Sequence, residues 1–155
     1  MVDYVIRLAE CRMDDVERVG GKNASLGEMI GNLSRLGVRV PDGFATTAAA
    51  YRKFLQQDGL DNRIHALLDE LNVDDVPALT KTGSEIRRMI METPFPAALR
   101  DAVDGAWNGL TNGEDFAVAV RSSATIEDLP EASFAGQQET LLNSNGLDQG
   151  VAAVH

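Results

Sequence analysis

Apolar residues recur through most of this chain at helical spacing, and a few short β-branched runs interrupt them. Tyr4 to Leu8 reads as a short strand, and Gly20-Gly21 breaks the chain after it. From Lys22 to Leu36, Leu26, Met29, Ile30, Leu33 and Leu36 form one helical stripe. Ser25 with Glu28 has capping-box spacing, and Gly37 closes the helix. Val38 to Pro41 and the Asp42-Gly43 turn lead into an extended Phe44-Ala45-Thr46. The helix-prone AAAYRKFLQQ follows, with Thr46 or Thr47 as its N-cap.

Two more packed helices are predicted at 60–71, with Ile64, Leu67, Leu68 and Leu71 in register, and at 75–92, with Val76, Leu79, Ile86, Met89 and Ile90. Pro94 and Pro96 interrupt, and Pro96 suits the first turn of a helix burying Leu99, Val103, Ala106 and Leu110 that ends at Asn112-Gly113. Phe116 to Val120 is a compact apolar run suited to a buried central strand. The polar loop RSSATIEDLPEASFAGQQ follows, then a second strand from Glu139 to Asn143. Loops of this length inside a compact domain are usually functional. Leu147 to His155 starts a helical pattern without a stop signal, so the chain is expected to be truncated there.

The chain has 155 residues, 44% hydrophobic and 25% charged, the range of one ordinary globular domain. Its net charge of -10 opposes nucleic acid and anionic membrane surfaces as partners. It leaves room for a nucleotide triphosphate, because local cations outweigh a field screened within about 10 Å. Cys11 is the single cysteine, so no internal disulfide forms; with no secretory layout at the start, a cytoplasmic setting is expected. No apolar run approaches the length of a membrane span.

Lys22 follows a Gly-Gly pair and opens a helix, a geometry that suits an anion, although the spacing is not that of a P-loop. Taken alone it reads first as a solvated surface charge. Arg121 leaves the apolar strand beside the hydroxyls of Ser122, Ser123 and Thr125, which suits phosphate oxygens. It reads equally well as a partner for Glu127 or Asp128. Ser133, Phe134, Ala135, Gly136 and Gln137 combine small residues around a glycine with an aromatic cover, as a ligand loop or a plain connection would. Glu127, Asp128 and Glu131 read as solvated carboxylates, and His65 and His155 make no metal or catalytic cluster. No residue here is a complete covalent catalyst.

Taken together, VGGKNASLGEM at 19–29, VRVPDGFATTAAAYRKFL at 38–55 and VAVRSSATIEDLPEASFAGQQETLLN at 118–143 resemble the N-terminal nucleotide-binding region of the phosphoenolpyruvate synthase (pyruvate, water dikinase) family, related to the pyruvate phosphate dikinases. The resemblance implies an α/β (α+β) fold, helix-rich with a small mixed sheet, forming the N-terminal part of an ATP-grasp-like domain. Residues 1–155 would be its first subdomain. It implies that Lys22 contacts the phosphates, Arg121 with Ser122 grips the triphosphate, and the loop from Ser133 to Gln137 covers it.

Magnesium would neutralise the phosphates, its ligands lying mainly outside these residues. The β-phosphoryl group would pass to a histidine on a separate swivelling domain and then to pyruvate on another. Those domains and the second ATP subdomain are the expected partners, and the chain alone is expected to be inactive. A rifamycin phosphotransferase shares the RSSAT and SFAGQQ blocks, and a non-catalytic nucleotide-binding module is an alternative of another class.

Overall fold

The computed structural model describes residues 3–114, 117–125, 128–129, 132–133 and 140–145. The order is β1 (Val5–Arg7), α1 (Val16–Val19), α2 (Gly21–Leu33), β2 (Phe44–Thr46), α3 (Ala48–Leu55), α4 (Leu60–Asp69), α5 (Val76–Glu92), α6 (Ala97–Thr111), β3 (Ala117–Arg121), β4 (Asp128–Leu129), β5 (Ala132–Ser133) and β6 (Thr140–Asn145). Short 3-10 turns occupy Leu8–Glu10, Met13–Asp15, Ser34–Leu36 and Gln57–Gly59.

Helices dominate, and the strands form three antiparallel pairs, β1 with β2, β3 with β6 and β4 with β5. Small antiparallel ladders therefore replace the expected small mixed sheet among the described residues. Parallel pairing needs a crossover returning a strand beside its predecessor, whereas β1 and β2, joined through α1 and α2, meet in opposite directions.

The β1–β2 ladder separates two apolar clusters, because successive side chains of a strand face opposite ways. Ile6 and its partner Ala45 turn to Leu8, Cys11, Val19 and Ala24. Val5 and Phe44, on the other face, pack with Phe54, Leu60, Met89, Leu99 and Val103. Thr47 ties the ladder to α3: its hydroxyl accepts from Ala50 N–H at 3.3 Å and donates to the Asp3 carbonyl at 2.8 Å. Of the two threonines considered for this cap, Thr47 is the one used. Asp75 caps α5 in the same manner, accepting from Ala78 N–H at 3.0 Å.

Several packing expectations change. The second helix starts at Gly21, with Gly20 as its N-cap, so Ser25 and Glu28 lie inside it and form no capping box. Ser25 instead donates to the sulfur of Met13, and Glu28 accepts from Met13 N–H at 3.3 Å and from Asn32. The buried face of α2 is Ala24 and Gly27, while Met29 and Leu36 are exposed. Close approach of the helix to backbone selects small residues over the longer stripe. Gly37, at φ +77°, does terminate the following turn.

In α6 the buried line is Leu99, Val103, Trp107 and Thr111, so Ala106 and Leu110 are only flanking residues. Pro96 stands one residue earlier than expected, at the N-cap. Leu68, Val76 and Leu79 of the α4–α5 hairpin are exposed, contrary to full packing of that pair.

The run expected as a buried central strand is β3. It pairs only with β6 among the described residues, with a bulge between Val118 and Val120. Ala117, Ala119 and Arg121 are exposed, Val118 and Val120 half-buried. With one paired neighbour among the described residues, β3 leaves its Ala117 and Ala119 side open. Leu141 and Leu142 of β6 are likewise exposed. Phe116, Glu139 and the terminal pattern from Leu147 to His155 lie outside the described residues.

Candidate functional site

Two of the three sequence blocks meet at Gly20. Its backbone, at φ +82° and ψ 159°, occupies a region open essentially to glycine, and it turns α1 directly into α2. A Cβ placed there would run into Ser123 Oγ and stand 2.8 Å from the Ala124 carbonyl oxygen. The loop leaving β3 is thus pressed against the start of α2. Gly21 N–H donates to the same Ala124 carbonyl at 3.4 Å, beyond the usual N–H···O range.

This contact joins the chain segments that carry the two predicted cations. Lys22 lies two residues beyond Gly20, in the first turn of α2, and is half-buried. Arg121 lies two residues before Ser123, at the end of β3, and is exposed. Two residues of chain span at most about 7 Å, so both are tethered near the Gly20–Ser123 contact. The N-terminus of α2 adds the partial positive charge of its backbone N–H groups. The ion pairs among the described residues are Arg7–Asp42, Arg18–Asp15, Arg88–Glu92 and Arg100–Asp104, and Arg121 is in none of them.

The hydroxyls beside Arg121 are not equivalent. Ser122 and Thr125 are exposed. Ser123 Oγ is buried with no hydrogen-bond partner among the described residues. A buried donor left unpaired costs about 1–3 kcal/mol, which singles it out.

Ser133 forms part of β5, opposite Asp128 of β4, so the long polar loop contains a short ladder that sequence reasoning missed. The signal available was the proline at 130 between two runs of two residues, too brief to show strand alternation. Phe134, Ala135, Gly136 and Gln137, with Glu127 and Glu131, lie outside the described residues.

Local bonds fix the corner that carries Lys22. Asn23, at the position where a P-loop has its hydroxyl, donates through Nδ2 to the Val19 carbonyl at 2.7 Å and so braces α1 against α2. Asp15 accepts from Arg12 N–H at 3.0 Å and from the Arg18 guanidinium at 2.9 Å. Those bonds, the backbone one foremost, hold its carboxyl below the ordinary carboxylate value. A Cβ on Gly27 would run into the Cys11 carbonyl and stand 2.6 Å from that of Leu8, so α2 lies directly on the backbone that follows β1. Cys11 beneath it is fully buried, and burial pushes its thiol pKa up.

Among the described residues no group of three or more His, Cys, Asp or Glu side chains could hold a metal, and no helix is long and apolar enough to cross a membrane. His65 holds its ring Nδ1 2.8 Å from the Asp61 carbonyl, one turn back on α4. Among the described residues, a shallow cleft lies over β1 and α6 and another between Arg18 and Arg52, and neither is lined by Lys22 or Arg121.

The sequence matches the family described as pyruvate phosphate dikinase, AMP/ATP-binding domain, over residues 16–155, and the chain belongs to that family. Individual relatives are more specific. It is 62% identical over 154 residues to the phosphoenolpyruvate synthase of Pseudomonas aeruginosa, 60% over 156 residues to that of Neisseria meningitidis, and 57% over 143 residues to that of Escherichia coli. These matches cover 99%, 99% and 92% of this chain. The chain spans about a fifth of the length of these relatives, 20%, 20% and 18% respectively.

Proposed function

We propose that this chain is the first part of the ATP-binding domain of a phosphoenolpyruvate synthase, a phosphotransferase that moves the β-phosphoryl group of ATP through a histidine on another domain to pyruvate. The observation that carries the reading is the contact of Gly20 and Gly21 with Ser123 and Ala124, which joins the segments carrying Lys22 and Arg121 beside the start of α2. The names and high identity of the relatives support this acceptor over a rifamycin and over a non-catalytic module.

In this reading Lys22, Arg121 and Ser122 hold the phosphates, and the segment from Ser133 through Phe134, Ala135 and Gly136 to Gln137 covers them. The fold is the opening portion of an ATP-grasp-like domain. Its second subdomain, the phosphohistidine domain and the pyruvate domain belong to the remaining length of the enzyme, which acts in the cytoplasm. Magnesium, when bound, would neutralise the triphosphate, and its ligands would come mainly from the remaining length of the enzyme, since the described residues offer no cluster of three His, Cys, Asp or Glu side chains.

Phosphoryl transfer depends almost entirely on positioning and charge stabilisation. A chain holding one side of the nucleotide positions neither the acceptor nor the transferring group, so by itself it makes no phosphoenolpyruvate. Titration with magnesium-ATP, followed by backbone amide NMR, tests the reading. Shifts gathered at Lys22, Arg121 and 133–137 support it. A folded chain with no shift at millimolar nucleotide rejects these residues as a binding half-site, and ATP-dependent product from the chain alone rejects the predicted inactivity.

A further inference from the structure

We propose that the Ser123 hydroxyl is a phosphate ligand of the half-site, sheathed against Gly20 in this state and released to an anionic oxygen when the Ala124 carbonyl leaves Gly21 N–H. The inference rests on the reading of this junction as a nucleotide half-site and adds Ser123 to the phosphate ligands Lys22, Arg121 and Ser122.

Three observations converge on Ser123. Its Oγ is buried without a hydrogen-bond partner among the described residues, whereas the hydroxyl-bearing neighbours Ser122 and Thr125 are already exposed. Native proteins rarely leave such a group unsatisfied, and one retained this way calls for a state in which it is paired. Second, the group lies against the first residues of α2, since a Cβ on Gly20 would collide with it. Third, the carbonyl of the next residue caps this helix start, and it does so at 3.4 Å.

An acceptor oxygen therefore already sits where a helix N-terminus attracts an anion, and it is loosely held. A phosphate oxygen is a stronger acceptor than a peptide carbonyl, because its bonds are charge-assisted. By taking over Gly21 N–H it lifts Ala124 and turns Ser123 outward as a second donor. Lys22 and Arg121, two residues away on either side, supply the charge that favours the exchange.

The test uses magnesium tripolyphosphate, which has the phosphates of ATP without its base. In the wild-type chain, the amides of Gly20, Gly21, Ser123 and Ala124 are expected to shift together on titration. Ser123→Ala is expected to weaken binding about tenfold while leaving the thermal midpoint unchanged or higher, since it removes an unpaired buried hydroxyl.

A hydroxyl with a purely structural role gives the reverse, a lowered midpoint with unchanged affinity, and that result overturns the proposal. Should the alanine variant fold poorly, the wild-type titration decides: shifts at Lys22 and Arg121 with none at Gly21 and Ser123 overturn the role of Ser123 and leave the half-site standing. No binding by the folded wild-type chain overturns both.

Discussion

Ser123 Oγ occupies the space that a β-carbon on Gly20 would require, so residues more than a hundred positions apart share one contact at the start of α2. Gly20→Ala adds that carbon in a backbone region that costs an L-residue about 1–3 kcal/mol. The expected outcome is a loss of stability of that order, read from urea midpoints, with weakened nucleotide binding by the residual folded chain. A variant of unchanged midpoint would mean that the junction opens freely and does not constrain Lys22 relative to Arg121.

Gly27 and Gly109 make a matched pair. Gly27→Ala presses a methyl group onto the Cys11 and Leu8 carbonyls and should cost at least the roughly 1–3 kcal/mol typical of overpacking. Gly109→Ala meets nothing within 4 Å on α6 and should stabilise by up to about 1 kcal/mol through helix propensity. Thermal midpoints moving in opposite directions would confirm this; a tolerated Gly27→Ala would contradict the close approach of α2 to the backbone.

Arg121→Ala should leave the fold intact, because the side chain is exposed and outside the ion pairs of the described residues. Losing one or two charge-assisted hydrogen bonds, each worth about 1.5–3 kcal/mol, predicts at least a tenfold loss in affinity for magnesium-ATP. Calorimetry with equal constants for variant and wild type would assign Arg121 to the surface.

Asp15 gives a pH signature. Its folded pKa lies below the unfolded value, so the stability it contributes is fully present above the unfolded value and is lost as the pH falls through the folded one. Arg12 N–H is the larger cause, so Arg18→Ala should raise the Asp15 carboxyl pKa only part of the way back. A carboxyl-carbon NMR titration of both chains measures this. Full return to the ordinary value in the variant would assign the effect to the guanidinium alone.

Local chemistry wrote much of this molecule into the sequence. Phe44–Thr46 is the expected extended segment, Thr47 and Asp75 cap helices because their oxygens reach N–H groups three residues on, and Asn112 ends α6 at φ 50°. Such features depend on neighbours a few residues away. The family was legible for another reason: the blocks at 19–29, 38–55 and 118–143 resemble it when taken together, although Lys22 alone reads first as a surface charge and Arg121 equally as an ion-pair partner.

Which faces are buried was another matter. Met29 and Leu36 belong to a well-formed helical stripe yet are exposed, because α2 docks through Ala24 and Gly27 onto the backbone after β1, and only that docking shows that small residues are required. The run from Phe116 to Val120 has the composition of a central strand, but burial of a strand depends on its neighbours, and β3 has one among the described residues. Local patterning specified most of the helices, but the Ser25–Glu28 capping box it suggested does not form, because α2 begins at Gly21. That Ser123 lies against Gly20 follows from packing of the loop after β3 on the start of α2, a contact that spans a hundred residues of chain and so has no local signature.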